Sequence, residues 1–168
     1  EKKFLIDIIF SAFSFVIVGS SGILINFIIN NFYGVELLGA FSQSYSIYLI
    51  FSIISIFGLQ YSMIYHTAKH QDEPNKVIDI LYSGYLLSLL ISIFIALALY
   101  FLSFFVDELL KSQNTGTFLF PMIISLPIFS INKITQGHLN GLRKMKTLSL
   151  LKIIRMTSFI VILLIFIN

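Results

Sequence analysis

An all-α bundle of membrane-spanning helices is the fold class this sequence predicts, and three observations predict it. Hydrophobic residues fill 57% of the 168 positions and charged residues 11%, whereas a soluble domain carries about 25% charged residues. The uncharged runs Ile8–Val35, Leu37–Ala68 and Ile80–Val106 hold 28, 32 and 27 residues, and a helix needs only about 20 to cross the hydrocarbon of a bilayer. The basic residues gather at the ends of apolar runs, the placement that sets membrane topology. A pI near 9.1 therefore reports topology, and no nucleic-acid partner is expected.

The first crossing is expected over about 8–30. It is too long for a signal-peptide core of about 7–15 residues, and Asn30, Asn31 and Gly34 punctuate the outer turn that follows. The second crossing, about 38–66, organises the chain. Along it Tyr45, Tyr48, Ser52, Ser55 and Ser62 step by three or four, with Leu59 between the last two, and so share one face. Lipid rewards an apolar surface, so this stripe turns toward neighbouring helices or a hydrated cavity. Pro74, in the polar loop Gln71–Lys76, separates it from the third crossing.

The third crossing, about 80–106, carries Gly84, Ser88, Ser92 and Ala96 at four-residue steps, a ladder that lets membrane helices approach closely. The fourth, about 113–132, contains Pro121 and Pro127, each expected to bend it. A polar and basic connection, Lys133–Lys146, leads to the fifth, about 148–168. Beyond Arg155 only thirteen residues remain, about 20 Å of helix against a hydrocarbon core of about 30 Å. Lys152 and Arg155 are thus expected to enter the membrane, and the chain reads as a piece of a longer one.

Five crossings divide the basic residues unevenly. With the N-terminus cytoplasmic, ten of them lie inside (Lys2, Lys3, Lys69, Lys76, Lys133, Arg143, Lys144, Lys146, Lys152 and Arg155) and Lys111 alone lies outside. That orientation is the one expected of short loops.

Catalytic chemistry has little to work with. Every carboxylate sits at a run end or in a loop, so no acid–base pair forms within the crossings. Without cysteine there is no disulfide and no thiolate nucleophile or ligand. His66 and His70, four apart, have the spacing of a metal pair beside Asp72 or Glu73, but at a helix end they read as interfacial residues, as does His138. No phosphate-binding glycine loop or Gly-x-Ser-x-Gly elbow is present.

The candidates for substrate contact are therefore polar residues within the crossings. A cation in hydrocarbon costs about 2.5–3.5 kcal/mol on insertion scales, so Lys152 and Arg155, three apart on one face, are candidates to meet an anion such as a phosphate. Snorkelling to lipid headgroups is the competing account. Asn26, Gln43 and Gln60 either contact ligand or join helices by hydrogen bonds, like Asn30, Asn132 and Gln136. Tyr45, Tyr48, Ser52 and Ser55 suit both sugar stacking and helix packing.

Ser21-Gly22-Ile23-Leu24-Ile25-Asn26-Phe27, Tyr33-Gly34-Val35-Glu36-Leu37-Leu38-Gly39-Ala40-Phe41 and Phe57-Gly58-Leu59-Gln60-Tyr61 resemble the first two helices of polysaccharide-biosynthesis flippases. Their superfamily also contains multidrug and toxin extrusion transporters and the lipid II flippase. Phe120-Pro121 through Leu126-Pro127, and on to Gln136-Gly137-His138-Leu139-Asn140-Gly141-Leu142-Arg143-Lys144, is similar to the fourth helix and the connection after it. The resemblance covers essentially all of the chain and implies most of the first of two lobes, in a fold of twelve to fourteen helices around a central cavity. It implies alternating-access translocation of an undecaprenyl-diphosphate-linked oligosaccharide, an O-antigen or capsule repeat unit, across a bacterial cytoplasmic (inner) membrane. It implies basic cavity residues, for which Arg155 is the position to test. It implies no cofactor, possible coupling to a proton or sodium gradient, and lipid, lipid-linked oligosaccharide and other polysaccharide-assembly proteins as partners.

Two rivals make different demands. A drug or metabolite cation antiporter of the same superfamily would favour an acidic residue within the early helices, which hold none beyond the end positions Asp7 and Glu36. A membrane polymerase or ligase would show a large polar outer loop, and the outer connections here are short.

Overall fold

The computed structural model describes residues 2–112 and 114–167, with side chains described over 6–112 and 114–165. The expected limits at Gln113 and Asn168 lie outside the described residues. Within them the chain is helical: α1 (Lys2–Ile56), α2 (Leu59–Lys69), α3 (Pro74–Leu110), α4 (Thr115–Gly141) and α5 (Met145–Ile167). Four segments are long and apolar enough to cross a membrane: Ile6–Ile56, Pro74–Leu110, Thr115–Gly141 and Met145–Ile165. The first is 51 residues long, about 77 Å of helix and enough for two crossings of a core of about 30 Å.

The helix boundaries differ from the sequence reading in three places. The expected outer turn at Asn30–Gly34 is confined to Gly34, whose φ of 84° and ψ of 169° break an otherwise continuous α1. Only glycine adopts that conformation readily. The second expected crossing is interrupted at Phe57 (φ 45°) and Gly58 (φ 74°), two consecutive left-handed residues, and resumes as α2. The connection expected at Lys133–Lys146 is mostly helix, since α4 runs to Gly141 and α5 begins at Met145.

Neither proline ends α4. Its buried positions explain why it persists: Thr115, Leu119, Ile123, Leu126, Ser130, Ile134, Gly137 and Gly141 recur at steps of four, four and three. Residues 115, 126 and 137 are thus eleven apart, as are 119, 130 and 141, a period of about 3.67 that keeps one seam on one side of the helix. Pro121 is exposed, away from that seam.

Two compact units divide the chain, one of Glu1–Leu38 with Arg143–Asn168, the other of Gly39–Leu142. In the first, Ser14, Ser21 and Ile28 are buried at seven-residue steps along one face of α1. Leu148 and Ser149 are the buried residues of α5, and the Lys146 ammonium lies 5.4 Å from the centre of the Phe10 ring.

In the second unit α4 is flanked by two partners of opposite direction. Asp107 near the end of α3 meets Gly116 at the start of α4, and Tyr85 near the start of α3 meets Thr135 near the end of α4, so the two are antiparallel. The last part of α1 runs with α4: Ser44 faces Thr115 and Ser55 faces Ser130. Tyr48, Leu99, Val106, Leu119, Ile123 and Leu126 form the buried core among these helices.

The four-residue ladder of α3 is a packing face. Ser88 and Ser92 are fully buried, Ala96 packs against the core, and a Cβ at Gly84 would collide with the Met63 side chain.

Candidate functional site

The polar groups of the second unit concentrate on the seam that α1 and α2 share with α4. At its Glu36-proximal end the Ser44 hydroxyl lies 2.8 Å from the carbonyls of both Ala40 and Thr115, and the Thr115 hydroxyl donates to Gln43 Oε1 at 3.1 Å. Nearby, Asp107 Oδ1 accepts the Gly116 backbone N–H at 2.9 Å. An anionic acceptor there satisfies one of the unpaired donors of the first turn of α4. Gly116 must be glycine, since a Cβ would stand 2.8 Å from the Ser103 carbonyl oxygen.

Midway along the seam, Tyr48 is buried with its hydroxyl 3.2 Å from Ser125 Oγ and its ring edge-on to Phe129 at 6.0 Å. The Ser55 hydroxyl donates to the Ser52 carbonyl and lies 3.0 Å from Ser130 Oγ. Ser52 is likewise buried and donates to the Leu49 carbonyl. Three members of the Tyr/Ser stripe, Tyr48, Ser52 and Ser55, are therefore held in helix packing. Tyr45 is 44% exposed and stacks between Phe41 and Tyr48, and Ser62 is exposed.

Beyond the break at Phe57–Gly58 the seam becomes glycine. A Cβ on Gly137 would stand 2.7 Å from the Gln60 carbonyl oxygen, and one on Gly141 would stand 2.8 Å from the Ile64 carbonyl oxygen and from Thr67 Cβ. Backbone-to-backbone approach of this kind is the packing mode of small-xxx-small pairs in membranes. Gln60 is half-buried against α4 through its main chain. Thr67 is fully buried, 3.3 Å from His138 Nδ1.

At this same end His70 Nδ1 lies 3.0 Å and Lys76 Nζ 2.6 Å from the carboxylate of Glu73. The hydrogen bond from Lys76, then that from His70, lowers the Glu73 pKa below the ordinary carboxylate value. His66 stands edge-on to the Tyr65 ring. No group of three metal-ligating side chains forms among the described residues.

The remaining candidates fall in the other unit. Asn26 and Arg155 are exposed and Lys152 is half-buried, with Lys152 and Arg155 in the second and third turns of α5. The structure thus gathers Gln43, Tyr45, Tyr48, Ser52, Ser55 and Gln60 within one unit and Asn26, Lys152 and Arg155 within the other.

Sequence reading missed the α4 side of the seam. Thr115, Ser125 and Ser130 supply hydroxyls to α1 and Thr135 to α3, and Gly137 and Gly141 supply the close approach. The signal was the four-residue spacing of the two glycines, hidden because the segment was read as a connection.

No curated protein and no solved structure is significantly similar to the chain. A family model described as polysaccharide biosynthesis protein matches residues 4–168. With its apolar crossings, hydroxyl-lined seam and glycine contacts, the chain belongs to the polysaccharide biosynthesis protein family, as a multi-pass membrane member.

Proposed function

We propose that this chain supplies helices to a transporter that flips undecaprenyl-diphosphate-linked oligosaccharide repeat units from the cytoplasmic to the outer leaflet of a bacterial inner membrane, for O-antigen or capsule synthesis. The observation that carries this reading is the family match over residues 4–168. It is supported by the absence of carboxylates from the uncharged crossings, which gives a cation antiporter little to bind with. In this reading the N-terminus is cytoplasmic, which the ten-to-one division of basic residues supports. Within the second unit, Lys69 and Lys76 lie at the end opposite Asp107 and Glu108, in keeping with that orientation.

Substrate contact is assigned to polar groups that packing does not engage. Arg155 is exposed and Lys152 half-buried on α5, and Asn26 is exposed on α1. In this reading a guanidinium meets the diphosphate by charge-assisted hydrogen bonds, and Tyr45 offers a ring face to sugar.

The test is the pool of lipid-linked oligosaccharide in cells lacking the full-length gene, with an accessibility assay for the leaflet that holds it. Flipping predicts completed units stranded on the cytoplasmic face and released when the gene is restored. Completed units that reach the outer face and accumulate there unpolymerised would replace this reading with a polymerase or ligase.

A further inference from the structure

We infer that the exposed face of α2 is a docking surface for anionic phospholipid headgroups of the leaflet at its Lys69 end. Three observations on different helices lead there.

Depth comes first. Asp107 marks the charged end of the uncharged run on α3, and Gly84 lies 23 residues earlier, about 34 Å along the helix and close to the hydrocarbon thickness of about 30 Å. A Cβ at Gly84 would collide with Met63 Cε, so Met63 of α2 sits level with the far boundary of the core. Lys69 lies six residues further, about 9 Å beyond that boundary, at the depth of phosphate groups.

The second observation is the face itself. Met63 and Thr67 bury one side of α2 against α3 and α4. On another side Tyr61 and Tyr65 are 75% and 60% exposed and continue at four-residue steps to the exposed Lys69. Aromatic rings at the boundary with a cation just beyond them are the order in which a headgroup and its upper acyl chain would be met.

Charge is the third. The Lys69 ammonium stands 5.9 Å from the centre of the Tyr65 ring. In the loop that follows, Glu73 pairs with His70 and with Lys76. Both oxygens of the Glu73 carboxylate are thereby occupied, and the exposed Lys69 ammonium stands clear of that pair. A lipid phosphate is the anion it would meet beyond the boundary.

The chain contains no tryptophan, so Tyr61→Trp introduces a reporter on this face. Reconstituted into equimolar phosphatidylglycerol and phosphatidylcholine vesicles with bromine on the chains of one lipid or the other, its fluorescence should be quenched more strongly by brominated phosphatidylglycerol. A local preference of about fivefold is expected from one cation near an anionic surface. Adding Lys69→Gln should bring the preference close to unity, and Lys69→Arg should retain it. Equal quenching by the two lipids, or a preference unchanged by Lys69→Gln, would overturn the inference. Absence of quenching by either lipid would overturn it too, by showing that protein covers the face. No oligosaccharide substrate is present in this assay, so its outcome is independent of whether the protein flips one.

Discussion

Ser55 and Ser130 meet at 3.0 Å in a fully buried position between α1 and α4. A hydroxyl pair in that setting favours one register of the two helices, because sliding would break their contact while the Ser55 hydroxyl kept only its own-helix bond to the Ser52 carbonyl. A double-mutant cycle with Ser55→Ala and Ser130→Ala, read by thermal unfolding in detergent, should give a coupling of about 0.6 kcal/mol, the average for such membrane hydrogen bonds. Glu73 carries a second prediction. Its pKa is lowered in the folded chain, so its contribution to stability is full above the unfolded carboxylate pKa and is lost as pH falls through the lower folded one. NMR titration should place the Glu73 midpoint below that of a free glutamate, and Lys76→Gln should raise it more than His70→Gln does, following the order of the two contacts.

At the scale of elements, α2 depends on the glycines of α4. Gly137→Leu or Gly141→Leu would drive a side chain into the α2 backbone and should lower stability by about 1–3 kcal/mol. Gly39→Leu, with nothing near its Cβ position, should change it by less than about 0.5 kcal/mol. How much of this was legible follows from what each signal measures. The uncharged runs, Gly34 as a breaker and the small-residue ladder of α3 are local, and each reappears in the structure. The end of α4 was misplaced because Lys133, Gln136, His138 and Asn140 resemble a loop by polarity, whereas Gly137 and Gly141 face a partner. The break at Phe57–Gly58 was invisible for the opposite reason: it lies inside an uncharged run, and a left-handed Phe57 is contrary to its own preference. The Tyr/Ser stripe left packing and sugar contact open, and the helix contacts of Tyr48 and Ser55 could not be read without the hydroxyls of α4 that they meet.

At the scale of the whole molecule, the proposed function puts substrate contact on residues that packing leaves exposed. Arg155 is one of them. In cells dependent on the full-length protein, Arg155→Gln should reduce polysaccharide export by at least about tenfold, the loss of one charge-assisted contact, with protein level unchanged. Arg155→Lys should restore part of it, and Lys111→Gln, at the acidic end of α3, should leave export intact. Gly34 and the Phe57–Gly58 pair have a consequence of another kind. They delimit Val35–Ile56, a rod of 22 residues and about 33 Å, nearly the thickness of the hydrocarbon itself. Between the interruptions the helix keeps its backbone hydrogen bonds closed, whereas each interruption breaks the ladder. In deuterated buffer this stretch should acquire label as a slow block between two fast margins, a pattern that follows from where the helix is interrupted and from nothing bound to it.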